Sequence, residues 1–526
     1  MRPTHFNDAA RRPRNPLRMR TPDELEDDVR RFHNRVGLEH VVNLEVLIKG
    51  ARIAQDRDSR EILGLTGAEK KAIDDEEESG FFQQSKELKV TILTTACAAI
   101  TQGWQQSTIN ASSLGWQDDF TPKDDPGYWE RNVLLAGLID AAPWLSGSMI
   151  GTWLSDPLQE GKYGRRPALF ISAVFCAACV LGTARCNTWQ QLLACRFLLG
   201  IGIGAKASIA PVFAAEAAVD HLRGRLLMMW QLFDTLGVFL GFACDWIVDR
   251  HWRVLLGTAS IPALVLLFLV FLCPESPRFL IRKGDYARAF VSLRQLRGTD
   301  IQAARDLYYI HSQLQVETEI FDGMPPANWF KYEIYQERIH EANFMKRVWF
   351  LFKHRRNRTA CLAAFLVMAS QQLWFGLANF LFTIPAYRYI DWRGRRLLLL
   401  ISLTGMFFSL LAISFFFRID DKHVRQGLVS TFAIGFFTFF YGIGAGPVPF
   451  TFSAEVFPLA FREVGMSFSV MVNFLGLGLL VLFVPKLASA LGEEYGYSNL
   501  CFLFTWALSF SLIVSLKYEA NHHIEG

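Results

Sequence analysis

Residues 360–390 read ACLAAFLVMASQQLWFGLANFLFTIPAYRYI. The run is mostly apolar over 31 residues, and Arg388 is its only charge. Arg355, Arg356 and Arg358 precede it, and Arg393, Arg395 and Arg396 follow. A helix that crosses the hydrocarbon core of a bilayer needs about 20 residues. This run is too long for one crossing and too short for two crossings joined by a loop. Its reading therefore depends on the rest of the chain, where ordinary spans are plain.

Apolar residues make up 51% of the 526, with 45 phenylalanines. Several separate windows are nearly free of charge, which defines an all-α polytopic membrane protein. In the first half the windows are Leu88–Thr108, Val133–Trp153, Pro167–Ala184, Leu192–Ala214, Leu226–Ile247 and Val254–Leu272. In the second half, after 360–390, they are Leu397–Phe417, Val429–Pro447, Phe468–Val484 and Asn499–Leu516. The expected count is ten full spans plus the short run.

Between the spans lie a polar N-terminal segment (1–87), a basic linker (273–358) and a tail (517–526), which divide the chain into a six-span unit (88–272) and a shorter unit (359–516). The N-terminal segment has no apolar core of the kind a cleaved signal peptide carries. Pro22–Arg35 and Gly67–Ala72 are candidates for short amphipathic helices. Lysine and arginine gather on the cytoplasmic side of membranes, so the basic linker and both termini are expected there. The acidic loop with Asp118, Asp119, Asp124 and Asp125 belongs on the other side. Cys176 and Cys179 have C-x-x-C spacing within an apolar helix, where packed thiols are the simpler reading. No metal-ligand cluster, nucleotide loop or nucleophile elbow stands out, so no metal, no cofactor and no catalytic residue is expected. The basic clusters are accounted for by topology, and nucleic acid is not an expected partner.

The chain repeats itself. Gly164-Arg165-Arg166 opens one span and Gly394-Arg395-Arg396 opens another, with Asp156 and Asp391 ahead of them. Glu216 is followed seven residues later by Arg223, and Glu455 seven residues later by Arg462. Repeated acid and arginine motifs at span ends suggest a transporter of two parallel repeats. In this reading the charges link the halves when one side is shut and part when it opens. Positive-inside anchoring explains one such cluster, but a repeated, equally spaced pair poorly.

With these motifs in order, the chain resembles the sugar porter branch of the major facilitator superfamily, most of all its fungal members. The residues that carry the resemblance are Gly164-Arg165-Arg166, Arg196 with Gly200, Gly202 and Gly204, Pro211 to Arg223-Gly224, and Pro274-Glu275-Ser276-Pro277-Arg278. Asp391 to Arg396, Gly446-Pro447, and Glu455-Val456-Phe457-Pro458 to Arg462 complete the set. It covers roughly residues 15–515. The resemblance implies two six-span bundles with a sugar or polyol site between them at mid-membrane, in a monomer in the lipid bilayer, expected in the plasma membrane. It implies substrate contacts at Gln231, Gln371, Gln372 and Asn473, with Phe450 where a tryptophan is usual. Amides suit a polyhydroxylated ligand because each offers donors and acceptors. The implied cytoplasmic gate comprises Asp156, Arg165, Arg166, Glu216, Arg223, Glu275, Arg278, Asp391, Arg395, Arg396, Glu455 and Arg462.

Two departures matter. Gln105 stands where proton-coupled members carry Asp, so facilitative transport is the expectation, and Arg196 lacks the acid usual at that place; Asp140, Asp234 and Asp245 are the acids within spans. Gln372 is followed by Arg395 after only 23 positions, roughly half the usual distance. The outer halves of the seventh and eighth spans therefore read as deleted. Because both flanks of 360–390 belong on the cytoplasmic side, an even number of crossings is required. The expected form is a re-entrant hairpin turning around Trp374–Ala378. The expected function is transport of a sugar or polyol by alternating access; a nutrient sensor or an inactive splice or truncated product are the alternatives.

Overall fold

The computed structural model describes residues 15–56, 64–78, 80–122, 125, 127–160, 163–248, 251–322, 344–353, 357–358, 360–361, 364, 382–383, 395–457, 461–492, 498–506 and 508. Thr21 starts helix α1 (Pro22–Val36) with a reciprocal cap. Its hydroxyl accepts from the Glu24 N–H at 3.3 Å, and the Glu24 carboxylate accepts from the Thr21 N–H at 2.9 Å. Helices α2 (Leu44–Gln55) and α3 (Gly67–Glu78) follow.

The first bundle consists of α4 (Lys86–Ala111), α5 (Val133–Glu160), α6 (Arg165–Ala184), α7 (Trp189–Ala217), α8 (Arg223–Val248) and α9 (Trp252–Leu272). The linker folds into α10 (Pro277–Arg282), α11 (Tyr286–Arg297), α12 (Asp300–Asp322) and α13 (Phe344–Lys353). The second bundle contains α14 (Arg395–Phe416), α15 (Lys422–Val456) and α16 (Arg462–Ala490). Residues 498–506 are also helical.

Eight helices among the described residues are long and apolar enough to cross a membrane: α5 to α9 and α14 to α16. The first expected window lies in α4, which is less apolar because its buried face carries Thr91, Thr94, Thr95, Thr101, Gln102, Gln105, Ser107 and Thr108. Helix α15 differs most from its window. It starts at Lys422 and runs through Pro447 to Val456. The widened turns over Tyr441–Ala445, closed by the Gly446 N–H on Tyr441 O at 2.9 Å, come just before the proline and let the helix continue past it. The turn expected at 374–378 lies outside the described residues, as does most of the run around it.

Glycines set the closest helix approach. A Cβ on Gly103 of α4 would overlap the Asp234 backbone of α8, and one on Gly237 would overlap the Ile100 carbonyl. Only small residues let two backbones meet this closely. The two bundles touch where α16 packs along α5 and α7, and where the end of α15 meets α8. Trp144 and Phe474 meet edge to face across this seam, centroids 5.5 Å apart.

The N-terminal helices and the linker form one apolar core outside the bundles. Leu25, Val29 and Phe32 recur at helical spacing on one face of α1 and bury it against Phe290, Leu293, Leu307 and Tyr308. The Phe32 ring meets the rings of Tyr286, Tyr308 and His311. Burying such a side chain contributes about 1.5–3 kcal/mol. Buried Asp28 accepts from Arg20 at 2.6 Å and from the Tyr308 hydroxyl. Arg305 grips Glu76 with two bonds, 2.8 and 2.9 Å. Ser85, just before α4, donates to Leu296 O at 2.7 Å. This unit is called the cap below.

Candidate functional site

At the cap end of the first bundle Gly164 has φ +90, and a Cβ there would lie 2.7 Å from Glu275 Oε2. The glycine lets the carboxylate reach the start of α6. The Arg165 N–H donates to Glu275 Oε1 at 2.9 Å, and the Arg166 N–H reaches both oxygens at 3.3 Å. A helix N-terminus leaves such N–H groups unpaired and attracts negative charge. Burial pushes the Glu275 carboxyl above its usual range, and the N–H bonds from Ser276, Arg166 and Arg165 pull against that shift. The Arg166 side chain donates to Val270 O at 2.9 Å and Phe271 O at 2.6 Å, the last carbonyls of α9. The glycine, the two arginines and the Pro-Glu-Ser-Pro-Arg segment are thus one contact in three dimensions.

The Arg165 side chain is fully buried. It forms two bonds to Glu216, both 3.1 Å, one to Glu160 at 2.9 Å, and a short one to Glu463. Ser276 caps α10 and its hydroxyl donates to Glu216. Arg278, also buried, lies within electrostatic reach of Glu216. Arg282 bonds Glu160 at 2.7 Å and Glu463 at 2.8 Å. Asp156 is fully buried and accepts from Arg347 of α13 at 2.7 Å; Arg347 also pairs with Glu160 at 3.3 Å.

The second repeat of the motif is at the same end. Ala454, next to Glu455, packs in one cluster with Ala214, Ala215 and Leu226 from the neighbourhood of Glu216 and Arg223. Arg462 starts α16 and is buried. Arg395 and Arg396 open α14, with side chains outside the described residues, where Asp391 also lies. Sequence reading missed Glu160, Arg282, Arg347 and Glu463. None stands in a repeated motif; Glu160 and Glu463 lie at the ends of apolar helices, and Arg282 and Arg347 on short linker helices.

Near mid-bundle, Gln231 of α8 is buried, and a Cβ on Gly446 of α15 would lie 3.5 Å from its Nε2. The amide therefore stands at the seam between the bundles. Its neighbour Trp230 packs on Phe450, centroids 5.8 Å apart. Asn473 is buried midway along α16. Gln371 and Gln372 lie outside the described residues.

Gln105 is buried within the first bundle, where its Oε1 accepts from Lys206 Nζ at 3.4 Å. Lys206, a fully buried lysine inside the apolar stretch of α7, was also missed in the sequence. Arg196, fully buried, pairs with Asp140 of α5 and donates to Ile139 O at 3.2 Å. Asp140 also accepts from Ser113 and from Trp116 Nε1 at 3.1 Å. Arg196 thus takes its carboxylate partner from α5. Space for about one water molecule lies among Gln105, Thr108, Thr183 and Arg196.

The family model described as "Sugar (and other) transporter" matches residues 90–373 and 366–521. The two matched segments meet inside the short run. The putative metabolite transport protein YwtG of Bacillus subtilis is 27% identical over 379 residues, 69% of this chain and 80% of its own length. The arabinose-proton symporter of Escherichia coli K12 is 27% identical over 399 residues, covering 72% of this chain and 81% of the symporter. Among solved structures, the major facilitator superfamily proton:xylose symporter XylE bound to 6-bromo-6-deoxy-D-glucose superposes with a TM-score of 0.64 at 18% identity, over 82% of this chain and 96% of XylE. That likeness establishes the major facilitator type of fold. With the family match spanning most of its length, the chain belongs to the sugar (and other) transporter family.

Proposed function

We propose that the protein carries a sugar or polyol across a membrane by alternating access. The observation that carries this reading is the buried charge cluster at the cap end, where Arg165 of the first bundle and Glu463 of the second meet. Two bundles joined by separable ion pairs at one end, with an amide at the seam further in, form a device that opens on alternate sides of a bound polyol. Gln231, Gln371, Gln372 and Asn473 would bond the hydroxyls, and Phe450 with Trp230 would supply an apolar wall. A site built to bond hydroxyls rejects ligands that lack them. The gate end faces the cytoplasm in this reading, and the membrane is the plasma membrane.

Transport is facilitative. An amide at 105 cannot cycle a proton, and Gln105 Oε1 is turned to Lys206. Asp140, the carboxylate beside Arg196, is already held by three side-chain partners. The short run 360–390 replaces the seventh and eighth spans with a re-entrant hairpin, and the two segments of the family match overlap within it, at 366–373. Its exposed backbone groups must face protein or water, because lipid cannot satisfy them. The deletion lowers transport by weakening closure on the side opposite the cap.

Uptake of radiolabelled pentoses, hexoses and polyols into liposomes holding the purified full chain tests both parts. Saturable uptake above empty liposomes, lost in Gln231→Ala, is expected. Uptake no faster than in empty liposomes across the whole panel would favour the sensor or inactive-product readings. Accumulation driven by an inward pH gradient and collapsed by a protonophore would overturn the facilitative part.

A further inference from the structure

We propose that Cys186 and Cys195 are a disulfide site that fastens α6 to α7 at the end of the first bundle opposite the cap. Helix α6 starts at Arg165 beside the cap, and its 20 residues rise about 30 Å, so the turn to α7 stands at the far end. All nine cysteines are among the described residues, as free thiols. Cys186 and Cys195 bring their sulfurs within 3.9 Å of each other.

The local sequence holds them there. Arg185, Cys186 and Asn187 make a short turn before Thr188, which caps α7. Thr188 Oγ1 accepts from the Gln191 N–H at 3.4 Å, and Gln191 Oε1 accepts from the Asn187 N–H at 3.0 Å. Cys186 Sγ donates to Gly182 O at 3.3 Å, one turn back. Cys195 comes from α7 to the same glycine, since a Cβ on Gly182 would lie 3.2 Å from its Sγ. Gly182 is the notch in which the two sulfurs meet. The Cys186 carbonyl accepts from Arg253 at 3.4 Å, and Arg253 also pairs with Asp119. The backbone is thus held, and the side chains close the gap. A disulfide is about 2.05 Å long, so each sulfur moves by about 1 Å.

In the orientation proposed above, this end faces away from the cytoplasm, where disulfides persist. The oxidant is a low-molecular-weight disulfide. Cys195 is half-buried and Cys186 is buried, so the Cys195 thiolate attacks the oxidant first. A mixed disulfide forms and one small thiol is released. The Cys186 thiolate then attacks Cys195 Sγ, the bond between the two cysteines forms, and the second small thiol leaves. Two electrons pass to the oxidant, and the two cysteine protons end on the two released thiols. The new link restricts the unfolded chain and so stabilises this end of the bundle.

Trypsin cuts after Arg185 and Arg196, which leaves both cysteines in one peptide, residues 186–196. The purified, reduced full chain is incubated with oxidised glutathione or with uncharged dithiodipyridine. It is then denatured, alkylated with N-ethylmaleimide, digested and read by mass spectrometry. In most of the protein the peptide is expected to be two hydrogens lighter than its reduced form and free of maleimide. The oxidised chain should melt a few degrees above the reduced one. Cys186→Ser should show neither change and keep the oxidant's adduct on Cys195. Two maleimides on the peptide, or an unresolved adduct in the parent, with both oxidants would overturn the site. So would a link from Cys195 to the peptide that ends at Arg185, which carries Cys179, a thiol within electrostatic reach of Cys195. A closed peptide with an unchanged midpoint would overturn the fastening role. The compartment rests on the orientation given under the proposed function. A peptide that closes in the purified chain, but carries two maleimides when cells are lysed directly into denaturant with N-ethylmaleimide, upholds the site and overturns that orientation.

Discussion

Gly164 shows how much one residue position can carry. Its φ of +90 is strained for any residue with a side chain, and its missing Cβ is the space that Glu275 occupies. Gly164→Ala should cost about 1–3 kcal/mol for the backbone alone and should also push Glu275 off the start of α6. The expected result is a lower thermal midpoint in detergent; a midpoint equal to the parent would show that the contact does not bear on stability. Asp140 carries a comparable burden. Asp140→Ala leaves Arg196 buried beside a carbonyl and no acid, and breaking one side of a buried pair costs about 3–5 kcal/mol. A much lower yield of folded protein is expected, with partial recovery in Asp140→Glu. Full stability of the alanine variant would mean that water, not Asp140, compensates Arg196.

At the scale of elements, the cap should be sensitive to acid. Burial, with Arg20 and Arg35 nearby, pushes His311 down to about 3, and its Nδ1 lies 3.0 Å from the Tyr286 hydroxyl. In the unfolded chain a histidine takes its proton near pH 6.5. The unfolded state thus binds the proton first, and this contribution to stability is complete above about pH 6.5 and falls away as the pH drops towards 3. Asp306 acts in the same direction lower down. Burial alone would raise it, but Arg305 and Arg297 hold it at about 2. Its contribution is present above the ordinary carboxylate range and is lost as pH falls through about 2. Hydrogen exchange of α1 and α12 in the full chain, corrected for intrinsic rates, should therefore show protection steady at pH 7 and above and declining from about pH 6 downwards. His311→Phe should flatten the upper part of that decline. Protection independent of pH between 7 and 4 would contradict this assignment.

For the whole molecule, the number of crossings between α13 and α14 decides whether both halves of the gate face one compartment. Two crossings at full length need about 40 residues and a turn, whereas one straight helix of 31 residues would reach about 46 Å and carry the start of α14 to the other side. In the hairpin reading, a cysteine at Arg393 reacts with an impermeant maleimide only from the side on which the cap lies. Reaction from the opposite side would require an odd number of crossings and would separate the two arginine motifs by a membrane. That outcome would also undo the gate, because the charges of both halves could no longer face one compartment.

The sequence by itself determined the class of protein, the positions of most spans and the family. Bilayer thickness imposes a length and a polarity that any reader of the chain can measure, and repeated motifs keep their spacing in one dimension. It also marked Arg165, Glu216 and Glu275 as a set, though not that the backbone of α6 rather than a side chain holds Glu275. Boundaries were less legible. Pro447 reads as a helix end in the sequence, but α15 continues past it with a widened turn just before the proline. The tertiary structure alone decided who pairs with whom. Arg165 and Glu463 are 298 positions apart, and the facing of α6 and α16 that brings them together depends on packing along every helix between. The stripe Leu25, Val29 and Phe32 likewise declares an apolar face, but many surfaces could cover it. The linker does so here because the chain between places Phe290, Leu307 and Tyr308 opposite. Apolar burial is non-directional, so a sequence states that a face must be covered, and the fold chooses what covers it.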